Sequence, residues 1–356
     1  MISRRLDAVR QKLSEARLHA FLVTHLAHVH YLTGFSGSNG ACLIMEDRQY
    51  FLSDGRYKDQ APQEVKDFRI IISSKGFAET VAHKGLLPKK SAVGFEGAHL
   101  SVAQLHHFEQ TLPAVRFRPF SSVVEAAVSV KEESEIRLIR QAVSVTERVF
   151  EKLLGIIKPG LRELDVAAEI AYLHRLMGAD ADAFEPIVAS GMRGAFPHAR
   201  ASEKKICKGE MVTLDFGCRY KGYNSDLTRT VAVGSPSREM KNIYDIVQTA
   251  QRKAVQSATS GMPARALDRV ARAWIKKKGY GKYFNHSLGH GLGREVHETP
   301  RISALTKDVL QTGNVVTIEP GIYVPGVGGV RIEDDVVIRE KGCDILTTSS
   351  KALLVL

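Results

Sequence analysis

Short apolar runs alternate with amphipathic helical patterns in the first third of the chain. Leu6, Val9 and Leu13 recur at helical spacing, and residues 20–23 form a short apolar run typical of a buried strand. The same patterns predict strands over 41–45, 50–52, 70–72 and 92–95, a hairpin turn at 46–48, and a helix over 102–112. The alternation of helices and strands predicts a small α/β domain over residues 1–125.

The pattern changes beyond residue 125, where a second and larger domain is predicted over residues 126–356. It begins with a long helix from Ser134 to about Leu154, in which apolar residues form a stripe along one face. Longer helices then alternate with β-rich segments, so the fold class expected for the whole chain is α+β.

The second domain contains a weak internal repeat. Helices over 135–154 and 238–257 are each followed by a turn with Pro and Gly, and then by a second helix. Residues 209–217 align with residues 313–321, with the apolar positions, a threonine and an acid in register. The repeat predicts a pseudo-twofold α+β domain whose two halves pack around one shared sheet.

Each half carries two acidic residues that flank a predicted hairpin. A turn centred between residues 220 and 221 places Asp215 opposite Asp226, and a turn centred on Gly326 places Glu319 opposite Glu333. Directly opposed side chains have Cβ atoms about 5 Å apart, so like charges there repel unless a cation lies between them.

The apolar residues that precede these acids indicate that the carboxylates emerge from buried strands. Four buried carboxylates need positive partners, and two divalent cations would offset their charge. Oxygen-rich sites with one imidazole suit Mn²⁺, Co²⁺ or Fe²⁺, with Zn²⁺ also possible, and His290 in a glycine-rich segment is the candidate imidazole. Buried salt bridges to Arg229 and Arg331 are the alternative that spacing leaves open.

Composition and charge exclude several classes of protein. The 356 residues are 44% hydrophobic and 25% charged, as in globular proteins, and no apolar run is long enough for a membrane span. The net charge of +11 is spread along the chain without a nucleic-acid-binding motif. The first 17 residues lack the apolar stretch of a signal peptide, and four scattered cysteines fit reduced thiols. We therefore expect a cytoplasmic protein with no membrane or nucleic-acid partner.

Several segments together closely resemble the proline-specific metallopeptidases of the pita-bread fold, the Xaa-Pro dipeptidases (prolidases) and Xaa-Pro aminopeptidases. Residues 31–35, YLTGF, are similar to the creatinase-type N-terminal domain of these enzymes. The segments of the second domain that carry the resemblance are LDFG (214–217), SDLTRT (225–230), HSLGHGLG (286–293), VHETP (296–300), IEPGIY (318–323) and VRIED (330–334).

The resemblance implies a metal-ligand set as well as a fold. It implies a pita-bread catalytic domain preceded by a creatinase-like α/β domain. Asp215 would bind the first of two divalent metal ions, Asp226 and Glu333 would bridge both ions, and His290 and Glu319 would hold the second. Mn²⁺ or Co²⁺ is the expected metal.

The resemblance also implies roles around the metals. Glu319 would move a proton between the attacking water and the leaving proline nitrogen, and His198 and His297 would act on the reacting carbonyl. His286, Arg301 and Arg331 are the expected substrate-binding residues. Arg301 is a candidate for the free carboxylate of a dipeptide, since arginine binds carboxylates through two hydrogen bonds, while Arg331 is also placed to support the metal carboxylates.

The expected activity is hydrolysis of the Xaa-Pro bond in dipeptides or short peptides with proline at the second position. The alternatives are an Xaa-Pro aminopeptidase that acts on longer peptides, a hydrolase of a small guanidino compound, and a non-catalytic binding protein with the same fold. A homodimer is an expectation from the resemblance alone. Histidines that belong to no motif, namely His28, His30, His106 and His107, are predicted to be surface or packing residues.

Overall fold

The structure is a computed structural model that describes residues 2–356, with side chains from residue 5 onward. The chain divides into two units, Met1–Val128 and Ser129–Leu356, each with apolar cores of its own. Both units combine helices and strands, as predicted for the fold class. No helix among the described residues has both the length and the apolar composition needed to cross a bilayer.

The first unit is built on one mixed sheet. Its strands are β1 (Ala20–Val23), β2 (Ala41–Ile44), β3 (Gln49–Ser53), β4 (Arg69–Ile72), β5 (Ala92–Glu96) and β6 (Arg116–Phe120). Its helices are α1 (Ile2–Ala16), α2 (Leu26–Thr33), α3 (Ala61–Glu64), α4 (Phe77–His83), α5 (Val102–Thr111) and α6 (Val124–Ser129). The sheet order is β4-β3-β2-β1-β5-β6; β2 is antiparallel to both neighbours and the other pairs are parallel.

The central strand β1 is apolar throughout because both of its faces are covered. Successive strand residues point to opposite faces of a sheet. Phe21 packs in one apolar core with Leu6 of α1 and Leu32 of α2, while Leu22 packs in the other core with Val81 of α4. The sheet is therefore the middle layer between helices.

The second unit contains four helices and thirteen strands among the described residues. The helices are α7 (Glu133–Leu154), α8 (Glu163–Leu176), α9 (Arg238–Ser257) and α10 (Ala264–Lys277). The strands are β7 (Ala181–Asp182), β8 (Ile187–Ser190), β9 (Glu210–Phe216), β10 (Cys218–Tyr220), β11 (Tyr223–Asn224), β12 (Leu227–Val233), β13 (Gly289–Gly291), β14 (Glu298–Ile302), β15 (Val315–Ile318), β16 (Gly321–Val324), β17 (Gly328–Arg331), β18 (Asp334–Ile338) and β19 (Cys343–Ile345).

The predicted repeat is visible in this unit. The two helix pairs α7–α8 and α9–α10 are each followed by a glycine with positive φ, Gly178 at +87° and Gly279 at +88°. In the first half, α7 and α8 pack on β9 and β12 through residues such as Phe150 and Leu214. In the second half, α9 and α10 pack on β15 and β18 through residues such as Val247. Each half therefore buries the apolar face of its strands under its own helix pair.

The prediction of one shared sheet is wrong. The described strands of this unit form separate sheets, chiefly β12-β9-β8 and β14-β13-β15-β18-β19, with β16-β17 as a two-stranded ribbon. The ladder between β15 and β18 stops at residues 319–320 and resumes in the ribbon, partly because Pro320 has no backbone N–H to donate. The halves still meet directly, since the Glu333 N–H donates to the Thr228 carbonyl at 3.1 Å.

The two hairpins differ in how well their register was predicted. Asp215 lies opposite Thr228, so the predicted pairing of Asp215 with Asp226 is wrong by two residues. The turn falls on Lys221 and Gly222, both with positive φ, as a two-residue turn of type I′ requires. The second hairpin turns on Gly326 as predicted, and the pairs on both sides keep the register that sets residues 319 and 333 opposite each other.

Two glycines fix a loop of the first half against the ribbon of the second. A Cβ on Gly329 would lie 2.0 Å from the Gly194 carbonyl oxygen, and one on Gly194 would lie 3.1 Å from the Gly329 nitrogen. Such distances leave no room for a side chain at residue 329. The short 3₁₀ segment Gly191–Ala195 is held by this backbone contact and by the ion pair of Arg193 with buried Glu163 at 2.9 Å.

A buried arginine connects the halves beneath the strand ends. The Arg229 guanidinium is 1% exposed and donates to Asp334 Oδ1 at 2.8 Å. It also donates to the carbonyls of Ser349 (2.8 Å) and Ser350 (3.1 Å), and to that of Glu333. One side chain therefore holds β12, the start of β18 and residues 349–350 in fixed relation.

We expect Arg229→Ala to lower the free energy of unfolding by about 3 kcal/mol, because buried Asp334 then keeps only Lys351 and Gln251 as partners and several buried carbonyls lose their donor. Thermal and urea unfolding of the full chain measure the loss. Arg252→Ala, which removes an exposed arginine of α9, is the matched control and should change stability by less than about 0.5 kcal/mol. Equal losses for both variants would contradict this account.

Candidate metal centre

Four carboxylates converge at the ends of buried strands in the second unit. Asp215 lies near the end of β9, and Asp226 comes directly before β12. Glu319 follows β15, and Glu333 precedes β18. Asp226 and Glu333 are 5% and 1% exposed. The halves thus contribute two acids each to a common place.

His290 projects into this carboxylate group from β13. Its Nε2 lies 3.5 Å from Glu319 Oε1 and 3.8 Å from Asp226 Oδ2. Its Nδ1 lies 3.1 Å from the Gly291 carbonyl oxygen, and its backbone N–H donates to the Thr317 hydroxyl at 3.1 Å. These bonds assign the proton to Nδ1 and leave the Nε2 lone pair directed at the acids.

All five side chains line one cavity of about 310 Å³. One wall is apolar and is formed by residues that the sequence did not single out. The cavity is lined by Phe184, Glu185, Pro186, Ile187, His198, Arg200, Asp215, Asp226, His290, Val296, His297, Glu319 and Glu333. The cavity is large enough for a small molecule beside the carboxylates.

Burial dominates the electrostatics of this site. Together with the charges of Glu333 and Asp215, it raises the pKa of Asp226 well above its usual value. It raises the pKa of Glu333 to about 8, with Asp215 adding to the shift, and it also raises the pKa of Glu319. Burial lowers the pKa of His290 to about 4, and the nearby His297 lowers it further, so the imidazole stays neutral. The raised pKa values of the three carboxyl groups describe a cluster whose buried negative charge is not fully balanced.

Two carboxylate oxygens at the centre have no hydrogen-bond partner among the described residues. They are Asp226 Oδ1 and Glu333 Oε1, both buried. The other oxygen of Glu333 accepts from the Thr228 hydroxyl at 2.7 Å, which fixes the orientation of that carboxylate. Buried acceptors without partners are rare and costly, unless a group such as a metal ion occupies the space they face. The donor set of four carboxylates and one neutral imidazole fits divalent metal ions.

Arginine pairing accounts for only one of the four acids. Arg331 pairs with Asp215 through a short hydrogen bond, and Arg229 pairs with Asp334, which lies outside the cavity. Within residues 5–356, no arginine or lysine forms an ion pair with Asp226, Glu319 or Glu333. The alternative of a closed salt-bridge network is therefore not favoured.

Of the remaining predicted site residues, some line the cavity and others do not. His198 and His297 both line the cavity, and the His297 ring packs edge-on against His290 at 4.4 Å between centroids. His286 is turned away, with Nε2 2.9 Å from the Tyr323 hydroxyl. Burial and Arg331 lower the pKa of His286 to about 3.

The two predicted arginines also differ. Arg331 donates to the Tyr323 hydroxyl at 2.7 Å and to the Pro197 carbonyl at 3.2 Å, so its fully buried guanidinium supports Asp215 and the loop before His198. Arg301 is an exposed residue of β14. It does not line the cavity, but its charge lowers the pKa of His297.

The residues that sequence reasoning missed are the supports of the ligands and the apolar wall. The Thr228 hydroxyl donates to the Glu333 carboxylate, and the Thr317 hydroxyl accepts from the backbone N–H of His290. The repeat could have suggested Thr317, which aligns with Thr213, whereas Thr228 lies outside the aligned segments. Phe184 and Ile187 gave no such signal, because they reach the site only through the pairing of Ile187 with Asp215.

Comparison with known proteins places these features in a family. Residues 137–340 match the model of metallopeptidase family M24, and residues 5–127 match the creatinase/prolidase N-terminal domain. The chain therefore belongs to metallopeptidase family M24, whose members are hydrolases that use divalent metal ions.

Relatives cover the whole chain. An Xaa-Pro dipeptidase of Pyrococcus furiosus is 38% identical over 98% of this chain and 99% of its own length. The structure of an Xaa-Pro dipeptidase from Bacillus anthracis is 40% identical with a TM-score of 0.97, covering 100% of both chains. That of an X-Pro aminopeptidase from Thermotoga maritima is 39% identical with a TM-score of 0.89, covering 95% of this chain and 98% of that one. The pita-bread fold predicted from the resemblance is confirmed.

We expect the free energy of unfolding of the metal-free protein to fall as pH rises from 6.5 to 8. Glu333 has a pKa of about 8 in the folded chain against an ordinary 4.5, so only the folded state holds this proton. Each such proton costs about 1.4 kcal/mol of stability per pH unit. His290, with a folded pKa of about 4 and an ordinary pKa of 6.5, is still half protonated in the unfolded chain at pH 6.5, so it offsets part of the loss at that end of the range and little of it above about pH 7.5.

Thermal unfolding in a chelator across this pH range measures the effect. Saturating Mn²⁺ should remove most of the slope, because bound metal favours the ionised carboxylates. Glu333→Gln should be flatter than the parent in the chelator. A flat profile for the metal-free parent protein would contradict the raised pKa.

Proposed function

We propose that this protein is an Xaa-Pro dipeptidase that holds two divalent metal ions with Asp215, Asp226, His290, Glu319 and Glu333. The observation that carries the proposal is the convergence of these five donors on one cavity, with buried carboxylate oxygens that lack partners. The oxygen-rich donor set favours Mn²⁺ or Co²⁺ over metals that prefer sulfur. Five intact donors also disfavour the alternative of a non-catalytic binding protein.

The metal pair, when bound, would activate a water molecule and polarise the carbonyl of the residue before proline. With the metal ions bound, Glu319 would be ionised beside the attacking water and would accept a proton from it. It can then deliver that proton to the leaving nitrogen. Proline nitrogen leaves as a secondary amine and needs this proton to depart.

His198 and His297 are proposed to bind the substrate at the open side of the cavity. Both line it, and neither is deeply buried. The pKa of His297 is lowered by burial and by His198, so a neutral ring can donate one hydrogen bond to a developing oxyanion. His286 and Arg331 are proposed to act behind them, by fixing Tyr323, Asp215 and the loop before His198.

The preference for dipeptides rests on Arg301 and on the relatives. Arg301 carries a guanidinium whose charge reaches the cavity histidines, and a dipeptide places its free carboxylate directly after proline. The relatives named as dipeptidases support this choice, while the similar X-Pro aminopeptidase of T. maritima keeps longer peptides as the second candidate. A cytoplasmic location and a homodimer stay predictions from the sequence.

We expect Ala-Pro to be cleaved at least 10-fold more efficiently than Ala-Pro-Ala in the presence of Mn²⁺ or Co²⁺, measured as kcat/KM. Arg301→Ala should raise KM for Ala-Pro about 10-fold or more and leave the tripeptide nearly unaffected. Lys307→Ala removes another exposed cation of the same region and serves as the control. Comparable rates on both peptides would instead identify an aminopeptidase.

We expect Glu333→Ala to abolish turnover and to lower the bound metal content, because it removes a carboxylate shared by both ions.

His297→Ala should lower kcat about 100-fold or more while metal content stays near that of the parent. Peptidase assays and metal analysis of the same samples give both readouts. Loss of metal in His297→Ala would place His297 among the ligands, and substantial activity in Glu333→Ala would rule out its bridging role.

A further inference from the structure

Three histidines meet in the first unit, at one edge of its sheet. His25 and His28 follow β1, and His99 follows β5. These strands are adjacent and parallel, so their carboxyl ends lie at the same edge of the sheet. The arrangement brings imidazoles separated by about 70 positions in the chain into one cluster.

The rings are in direct contact. His25 and His99 are stacked, with centroids 3.8 Å apart and an angle of 12° between their planes. His28 meets both edge-on, at centroid distances of 4.8 Å and 5.3 Å. One ring nitrogen from each histidine lies within 4.8 Å of the other two. Such proximity favours neutral rings, since three imidazolium charges at this spacing would repel one another.

A buried carboxylate orients the cluster. Glu96 is 2% exposed and lies 2.5 Å from His28 Nδ1 through Oε1. Its Oε2 accepts from the backbone N–H groups of Thr24 (2.8 Å) and His25 (2.9 Å). A carboxylate on Nδ1 fixes the tautomer that leaves the Nε2 lone pair of His28 available, as in the carboxylate–histidine pairs behind metal ligands. Glu96 therefore orients the His28 ring and fixes its tautomer, as a supporting carboxylate does for a histidine that binds zinc.

The surroundings of the histidine cluster add negative charge and leave two of its rings partly exposed. Glu125 Oε1 lies 3.6 Å from His99 Nε2. Burial and the neighbouring His25 lower the pKa of His99. His28 is 3% exposed and held in place, whereas His25 and His99 are only partly buried. His28 therefore forms the buried side of the cluster, and His25 and His99 form its more exposed side.

We propose that His25, His28 and His99 form a zinc site in the first unit, with Glu96 as its supporting carboxylate. Three imidazoles and an open fourth position are a ligand set that suits Zn²⁺. Zinc–nitrogen bonds of about 2.1 Å place ligand nitrogens about 3.4 Å apart, so the nitrogens must close by about 1.4 Å at most. The ion would connect the β1–α2 turn to the turn after β5. The proposal does not depend on the proposed peptidase activity.

Zinc stoichiometry of the full chain tests the site. We expect His99→Gln to bind one Zn²⁺ fewer per chain than the parent at saturation, after equilibrium dialysis and metal analysis. His106→Gln changes an exposed histidine of α5 and should bind as many ions as the parent. Glu333→Ala, altered in the second unit, should retain the ion that His99→Gln loses.

A second readout separates this site from the candidate metal centre. Mn²⁺-dependent cleavage of Ala-Pro by His99→Gln should equal that of the parent. If the protein has no peptidase activity, the difference in zinc count between the parent and His99→Gln still decides the proposal. Equal zinc counts for the parent, His99→Gln and His25→Gln would overturn it and leave a packed histidine cluster. A correctly folded His99→Gln, shown by its circular dichroism, keeps the comparison valid.

Discussion

Negative charge buried without compensation is the constraint on which the structure of the second unit depends. Asp226, Glu319 and Glu333 are withdrawn from water, and burial drives their pKa values upwards. The fold relieves this stress only in part with its own cations, because Arg229 and Arg331 pair directly with Asp334 and Asp215 and reach Glu319 and Glu333 only through their charge. Strand ends, supporting threonines and the glycine-rich segment around the imidazole hold this unfavourable arrangement in place.

Local sequence features were enough to predict much of this fold and of the carboxylate site. Acids at strand ends, repeated in the two halves, were visible from sequence alignment, and the glycine at residue 326 defined its turn without ambiguity. The amphipathic helices and buried strands follow from periodicity, as β1 at Ala20–Val23 and α9 at Arg238–Ser257 illustrate. In these places a short stretch of chain contains the whole physical reason for its conformation.

Other features depend on contacts between distant segments. The first hairpin was misplaced because Lys221 accepts a positive φ beside Gly222, which sequence alone does not favour over the neighbouring turn. The apolar wall at Phe184 exists only because β8 pairs with β9. Of the histidine cluster, only His28 was considered from the sequence, as a packing or surface residue, since His28 and His99 come together only when β1 and β5 lie side by side.

The contact between Gly194 and Gly329 has a consequence for how the cavity can change. The loop leading to His198 is anchored by main-chain atoms at Gly194 and by the ion pair of Arg193 with Glu163, so its position does not rely on its other exposed side chains. Exposed Met192 and Phe196 can thus be exchanged with little effect on the anchor. The loop therefore carries side chains that can change substrate selectivity without moving the residues that the chemistry requires. Directed evolution of this loop would exploit that independence.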